Sequence, residues 1–206
     1  METKLIFSNS NGQKLAGILT SPTVNTPTPI VVMAHGFHSN KNSSTFTRLK
    51  ELFLTRHIAS FCFDFFGHGE SAGKIEDVTI AEGADDITQA IRLVKKQGYQ
   101  QIGLIGSSFG GICSLIAASQ SRDLTLLVLK SPVSDFAAAK KITIPTLIVH
   151  GNQDEEVPVS QSRQLVQTLQ NGTLIEIKGA DHRYSGKGQM EQLISAIDDF
   201  VSKQFS

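Results

Sequence analysis

Short apolar runs alternate along this chain with longer segments whose apolar residues recur every three or four positions. Ile30–Ala34 is continuously apolar and Ile58–Phe63 nearly so, the pattern of strands covered on both faces. Phe46, Leu49, Leu52 and Phe53 give Ser44–His57 one apolar face, and Ile80, Ala84, Ile87, Ile91 and Val94 mark a long amphipathic helix that Gly98 ends. Further on, the pattern predicts strands at Gln101–Ile105, Leu124–Leu129, Thr146–Val149 and Thr173–Ile177, and helices at Ile112–Ala118, Val159–Leu169 and Gln189–Phe205. At the start, Lys4–Ser8 and Gln13–Thr20 flank Asn11-Gly12, a hairpin signal, and Ser21–Pro29 reads as a Pro/Thr-rich loop. Strands alternating with helices imply right-handed crossovers. The expected architecture is therefore an α/β fold: a mostly parallel sheet, helices on both faces, and the antiparallel hairpin at one edge. No repeat or linker divides the chain, so residues 1–206 are expected to form a single domain.

Composition narrows the function classes. The formal net charge is zero, which removes the basic excess expected of a nucleic-acid or anionic-membrane binder. No apolar run reaches membrane-spanning length. The first residues lack a signal-peptide core, so a cytoplasmic setting is expected. Cys62 and Cys113 sit in an apolar strand and an apolar helix, as small buried hydrophobes. The glycines match no dinucleotide or Walker pattern, and no His/Cys/carboxylate group has metal-ligand spacing, so neither cofactor nor metal is expected.

The chemistry centres on Gly106-Ser107-Ser108-Phe109-Gly110-Gly111, a G-x-S-x-G between a predicted strand and a predicted helix. A sharp strand–turn–helix presents a serine hydroxyl, and small neighbours avoid clashes across the turn. The helix N-terminus beneath Ser108 offers N–H donors to a developing oxyanion.

A serine hydroxyl needs a base, and the base an orienting acid. Asp154 follows the strand Thr146–Val149, and His182 follows the strand Thr173–Ile177. Both therefore fall at the carboxyl edge of the sheet with Ser108, where ligands bind in open parallel sheets. Asp135, after the strand Leu124–Leu129, is the rival acid. The oxyanion hole is expected from the N–H groups of Phe37, after His35-Gly36, and Phe109. Asp64 and His68 read as residues that fix a loop, and Glu156 as a group able to tune the triad.

These motifs, with Asp64–Ser71, Gly73-Lys74, His150-Gly151 and Val157-Pro158, resemble the α/β-hydrolase superfamily over nearly the whole chain. Within it the chain resembles the cinnamoyl/feruloyl esterase and serine-aminopeptidase-like branch. Capped relatives carry a lid between the strands that end near Lys130 and start near Pro145. Here Ser131–Ile144 leaves room for about one short helix. The resemblance implies a lidless serine hydrolase acting on carboxylic esters, or thioesters, of small to medium acyl groups through an acyl-serine. The expected partner is that small-molecule substrate. Its crevice is expected to be open and lined by Phe37, Phe66, Phe109, Phe136 and Tyr184. A peptidase or amidase with the same triad is the alternative, and a non-catalytic ligand-binding protein on this fold is a further one.

Overall fold

In the computed structural model, which describes residues 1–22 and 28–206, eight strands form one sheet in the order β1-β2-β4-β3-β5-β6-β7-β8. The predicted loop at Ser21–Pro29 lies outside the described residues over 23–27. Strands β1 (Glu2–Ser8) and β2 (Lys14–Thr20) form the antiparallel hairpin, and β2 continues antiparallel onto β4 (Ala59–Phe63). From β4 onward all pairings are parallel, through β3 (Ile30–Ala34), β5 (Ile102–Ser107), β6 (Leu124–Lys130), β7 (Thr146–Gly151) and β8 (Gly172–Ile177). The mostly parallel α/β sheet with an antiparallel edge hairpin that the pattern predicts is the one observed, as the resemblance to the α/β hydrolases also implies.

The period of two decides which helix each strand residue meets. In β3, Ile30, Val32 and Ala34 face one core, while Val31 and Met33 face the other. The first core is closed by α2 (Ile80–Lys96) and α3 (Phe109–Gln120), with α4 (Phe136–Ala139) and α5 (Val159–Thr168). The second is closed by α1 (Ser44–Thr55) and α6 (Gln189–Phe205). Ser43 caps α1 by accepting from the Phe46 N–H, and Thr79 and Glu82 form a reciprocal capping box that starts α2.

Three strands run further than their apolar residues suggest. Ser107 pairs with Lys130, and His150 and Gly151 pair with Glu176 and Ile177. Ladder hydrogen bonding carries these polar residues to the carboxyl edge, where the candidate chemistry gathers. Between β6 and β7 the described secondary structure is the four-residue α4 alone, as the short interval requires. A 3-10 turn at Ile75–Asp77 has no apolar signature and was not anticipated.

Candidate active site

Ser108 stands between the end of β5 and the first residue of α3 with φ 53° and ψ −112°. A non-glycine residue holds such angles only where the surroundings over-determine them. They do so here. The Ser108 N–H donates to Lys130 O at 2.9 Å, and its carbonyl accepts from the Gly111 N–H at 2.9 Å. A Cβ on Gly106 would strike the Gly110 carbonyl and Ser114 Oγ, and one on Gly110 would strike the carbonyls of Ala34 and His35. The two elbow glycines are thus a packing requirement.

His182 lies on the loop after β8, and its Nδ1 is 2.7 Å from Asp154 Oδ2. Asp154 is buried, and its Oδ1 accepts the N–H groups of Glu156 and Val157 at 3.0 and 2.8 Å. Burial pushes the Asp154 carboxyl up. The Val157 N–H and His182 together outweigh burial and hold it below the usual aspartate value. Asp154 Oδ2 is also 3.1 Å from Nε2 of His150, a fully buried histidine whose Nδ1 meets Ser162 Oγ at 2.7 Å. Burial lowers the His150 pKa, so it is a neutral brace behind the carboxylate. Asp135 does not reach His182; its side chain caps α4 by accepting from the Ala138 N–H. Asp181 turns away onto Ser185 and the Arg183 and Ser185 amides.

Among the described residues, the N–H groups of Phe37 and Phe109 have no hydrogen-bond partner. Gly36 lies against Ser108, since a Cβ there would meet Ser108 Cβ at 3.5 Å. The Phe37 carbonyl accepts from His68 Nε2 at 2.5 Å, and His68 Nδ1 meets the Phe66 carbonyl at 3.0 Å. His35 donates from Nδ1 to the Gly36 carbonyl and accepts the Phe65 N–H, and burial lowers its pKa to about 4. It is a neutral structural histidine. Asp64, buried with Lys41, ties Lys41 and Glu70 together, which fixes the loop that carries His68.

Ser108 and His182 open into one cleft of about 380 Å³, with Phe37, Phe46 and Met190 on its apolar side and Ser39, Ser43 and Ser44 among its polar residues. Of the expected aromatic lining only Phe37 is present. Phe66 packs into the core behind α2, drawn in where its N–H meets Asp86 Oδ2 at 2.8 Å. The Phe109 ring lies in the same core, against Phe65 and Phe37, and leaves only its backbone near Ser108. Phe136 is exposed at the start of α4, because Ala138 and Ala139 take the inward face of that short helix. Tyr184 is buried beneath the site, where its hydroxyl donates to Val149 O and pairs with Ser131 Oγ.

Two polar residues of the cleft were not singled out for it from sequence. Lys130 ends an otherwise apolar strand and carries its Nζ to the His182 carbonyl at 3.1 Å. Arg183 lies beside Glu156, whose Oε2 is 3.9 Å from His182 Nε2. The signal for Lys130 was present, as a lysine closing the run Leu126–Leu129. Among the described residues no group of His, Cys, Asp and Glu is placed to hold a metal, and no helix is long and apolar enough to cross a membrane.

The family model described as "Serine aminopeptidase, S33" matches residues 25–138, and the "Prolyl oligopeptidase family" model matches residues 127–206. Over 194 residues the chain is 26% identical to a Mycobacterium tuberculosis protein named as a phosphoribosyl transferase; the match covers 91% of this chain and 43% of that protein, so the chain spans less than half of that relative. It is 23% identical to the mouse mitochondrial palmitoyl-protein thioesterase ABHD10, covering 85% of this chain and 76% of that one. Est1E from Butyrivibrio proteoclasticus, solved with ferulic acid bound, superposes with a TM-score of 0.89 at 24% identity, covering 97% and 98% of the two chains, a likeness of fold.

Proposed function

The chain belongs to the serine aminopeptidase S33 family, and from that membership we propose that it is a serine hydrolase that cleaves carboxylic esters of small to medium acyl groups. The observation that carries the reading is the strained Ser108 backbone, φ 53°, in one cleft with an imidazole held at 2.7 Å by a buried carboxylate.

Ser108 Oγ attacks the ester carbonyl carbon while its proton passes to His182 Nε2. Asp154 fixes the ring so that Nε2 is the free nitrogen, and stabilises the imidazolium that forms. The carbonyl oxygen becomes an oxyanion and takes the N–H groups of Phe37 and Phe109. Collapse returns the electron pair, breaks the C–O bond, and sends the proton from His182 to the departing alcohol. Water then attacks the acyl carbon, giving its proton to His182. The second oxyanion collapses, the bond to Ser108 Oγ breaks, His182 returns the proton to Oγ, and the acid leaves. Every acid–base step uses side chains of this chain, and no cofactor enters the scheme.

A thioester arm is suggested by the mouse relative's name, and an amide arm by the family's. The proposed setting is cytoplasmic, which two free buried cysteines fit. A panel of p-nitrophenyl esters, acyl thioesters and aminoacyl p-nitroanilides, assayed on wild type and Ser108→Ala, tests the reading. It predicts Ser108-dependent turnover that is fastest for esters. Preferred turnover of the anilides would move the assignment to an aminopeptidase, and turnover independent of Ser108 would overturn it.

A further inference from the structure

Lys130 is 7% exposed, yet it lines the cleft that holds Ser108 and His182. It stands opposite Ser107 in the β5–β6 ladder, and its own carbonyl holds the Ser108 N–H. Its side chain leaves β6 on the face of Leu126 and Val128, where the rest of the packing is apolar. A leucine or methionine would fill that space without the cost of desolvating an ammonium.

The partners of the ammonium are few. It donates one hydrogen bond, to the neutral carbonyl of His182, and rests 4.8 Å from the centre of the Tyr184 ring. An ammonium has three N–H donors. Among the described residues no carboxylate lies within ion-pair distance of it. The three carboxylates that act on it through space, Asp154, Glu156 and Asp181, are engaged elsewhere. Asp154 serves two histidines and two amides, Asp181 serves the Ser185 hydroxyl and the Arg183 and Ser185 amides, and Glu156 faces Arg183 and His182. The result is a buried cation in the lining of the cleft that holds Ser108, with donor capacity to spare.

We infer that Lys130 is a carboxylate-recognising subsite of this cleft, and that the preferred esters carry a carboxylate on the acyl or the alcohol half. The inference rests on the serine-hydrolase reading and specifies its substrate class. Burial lowers the Lys130 pKa to about 8, so the ammonium remains mostly charged at neutral pH while lacking the water that would normally solvate it. A substrate carboxylate replaces that water with a charge-assisted hydrogen bond, and an uncharged isostere does not. Selectivity then comes from the unpaired donor that the wrong substrate leaves behind.

The test compares matched pairs of esters, one member carrying a free carboxylate and the other its neutral methyl ester. On the acyl side, p-nitrophenyl hemisuccinate is set against its methyl ester; on the alcohol side, butyrylglycolate against methyl butyrylglycolate. Wild type should show an anionic-to-neutral ratio of kcat/KM of about tenfold or more in one of the two arms, which identifies the half that meets Lys130. Lys130→Met should bring that ratio to one or below, mainly through KM, and Lys130→Arg should restore part of it. A wild-type ratio at or below one in both arms overturns the inference, even if the esters are hydrolysed. A Lys130→Met variant that slows both members of a pair equally also overturns it, because Lys130 would then only hold the His182 loop. Fluorophosphonate labelling of Ser108 separates the two readings. Labelling without anion preference removes only this inference, and absence of both labelling and turnover removes the hydrolase reading together with it.

Discussion

Asp154 Oδ2 lies 2.7 Å from His182 Nδ1, and the same carboxylate is anchored from behind by two backbone amides. Asp154 is therefore fixed by the main chain, and the His182 ring is fixed by Asp154. His182→Ala should lower ester kcat/KM by roughly 10⁴–10⁶. Asp154→Asn keeps most of the anchoring but disturbs the ring tautomer, and should cost about 10³–10⁴. Asp135→Asn should lose only a little helix-cap stability. Steady-state kinetics of the three variants check the assignment; a healthy Asp154→Asn beside a dead Asp135→Asn would move the acid to the end of β6.

The elbow glycines give a steric prediction. Gly110→Ala drives a methyl group into the carbonyls of Ala34 and His35, which are backbone and cannot swing away. The cost should be about 1–3 kcal/mol of stability, with loss of ester turnover as the Ser108 turn is displaced. Gly36→Ala meets only ordinary contact at 3.5 Å from Ser108 Cβ and should keep wild-type stability. Thermal melts of both variants read the difference, and equal melting temperatures would contradict it.

Asp86 predicts a pH effect outside the site. Burial raises its carboxyl from 3.8 to about 6, although the Phe66 N–H and Asn9 Nδ2 both donate to it. Between about pH 4 and 6 the folded protein then holds a proton that the unfolded chain has released. This contribution to stability therefore falls as pH rises through that window, and is level above it. Asp86→Asn removes the titration and can still accept from Phe66. The variant should gain on wild type as pH rises from 4 to 6.5, by on the order of 1–3 kcal/mol. Parallel stability curves for the two proteins would place the titration elsewhere.

The short β6–β7 connection predicts substrate length. With α4 as the only described element there and a cleft of about 380 Å³, a long acyl chain finds little cover. Each methylene buried adds about 0.8 kcal/mol, so kcat/KM should climb for the first few carbons and then level off. A chain-length series with and without micelles checks this. A maximum at long chains, or a jump above the micelle threshold, would require another covering element.

Much of this was legible in the sequence because it follows from periodicity and from turn chemistry. The apolar runs located the β3, β4, β5 and β6 strands, and G-x-S-x-G between strand and helix located Ser108. Chain order after the later strands proposed Asp154 and His182 but left Asp135 open as the acid; the contact of Asp154 with His182 and the helix-capping role of Asp135 separate the two carboxylates. The pocket was less legible, for a physical reason. Phe66, Phe136 and Tyr184 lie on loops or at a helix start, where a hydrogen bond or a helix face decides whether a ring turns inward. Periodicity carries no information about that choice. His150 and Lys130 were missed as contributors for a related reason: polar residues at strand ends look like strand termini until the ladder shows that they continue into the site.

The central claim is that Ser108 is an activated nucleophile, and covalent labelling tests it without assuming a substrate. Wild-type protein treated with a fluorophosphonate and examined by intact-mass and peptide mass spectrometry should gain one adduct, on Ser108. The adduct should be absent in Ser108→Ala and should form far more slowly in His182→Ala, while Ser107→Ala labels as wild type. An unlabelled wild-type protein, or an adduct that survives Ser108→Ala, would contradict the account.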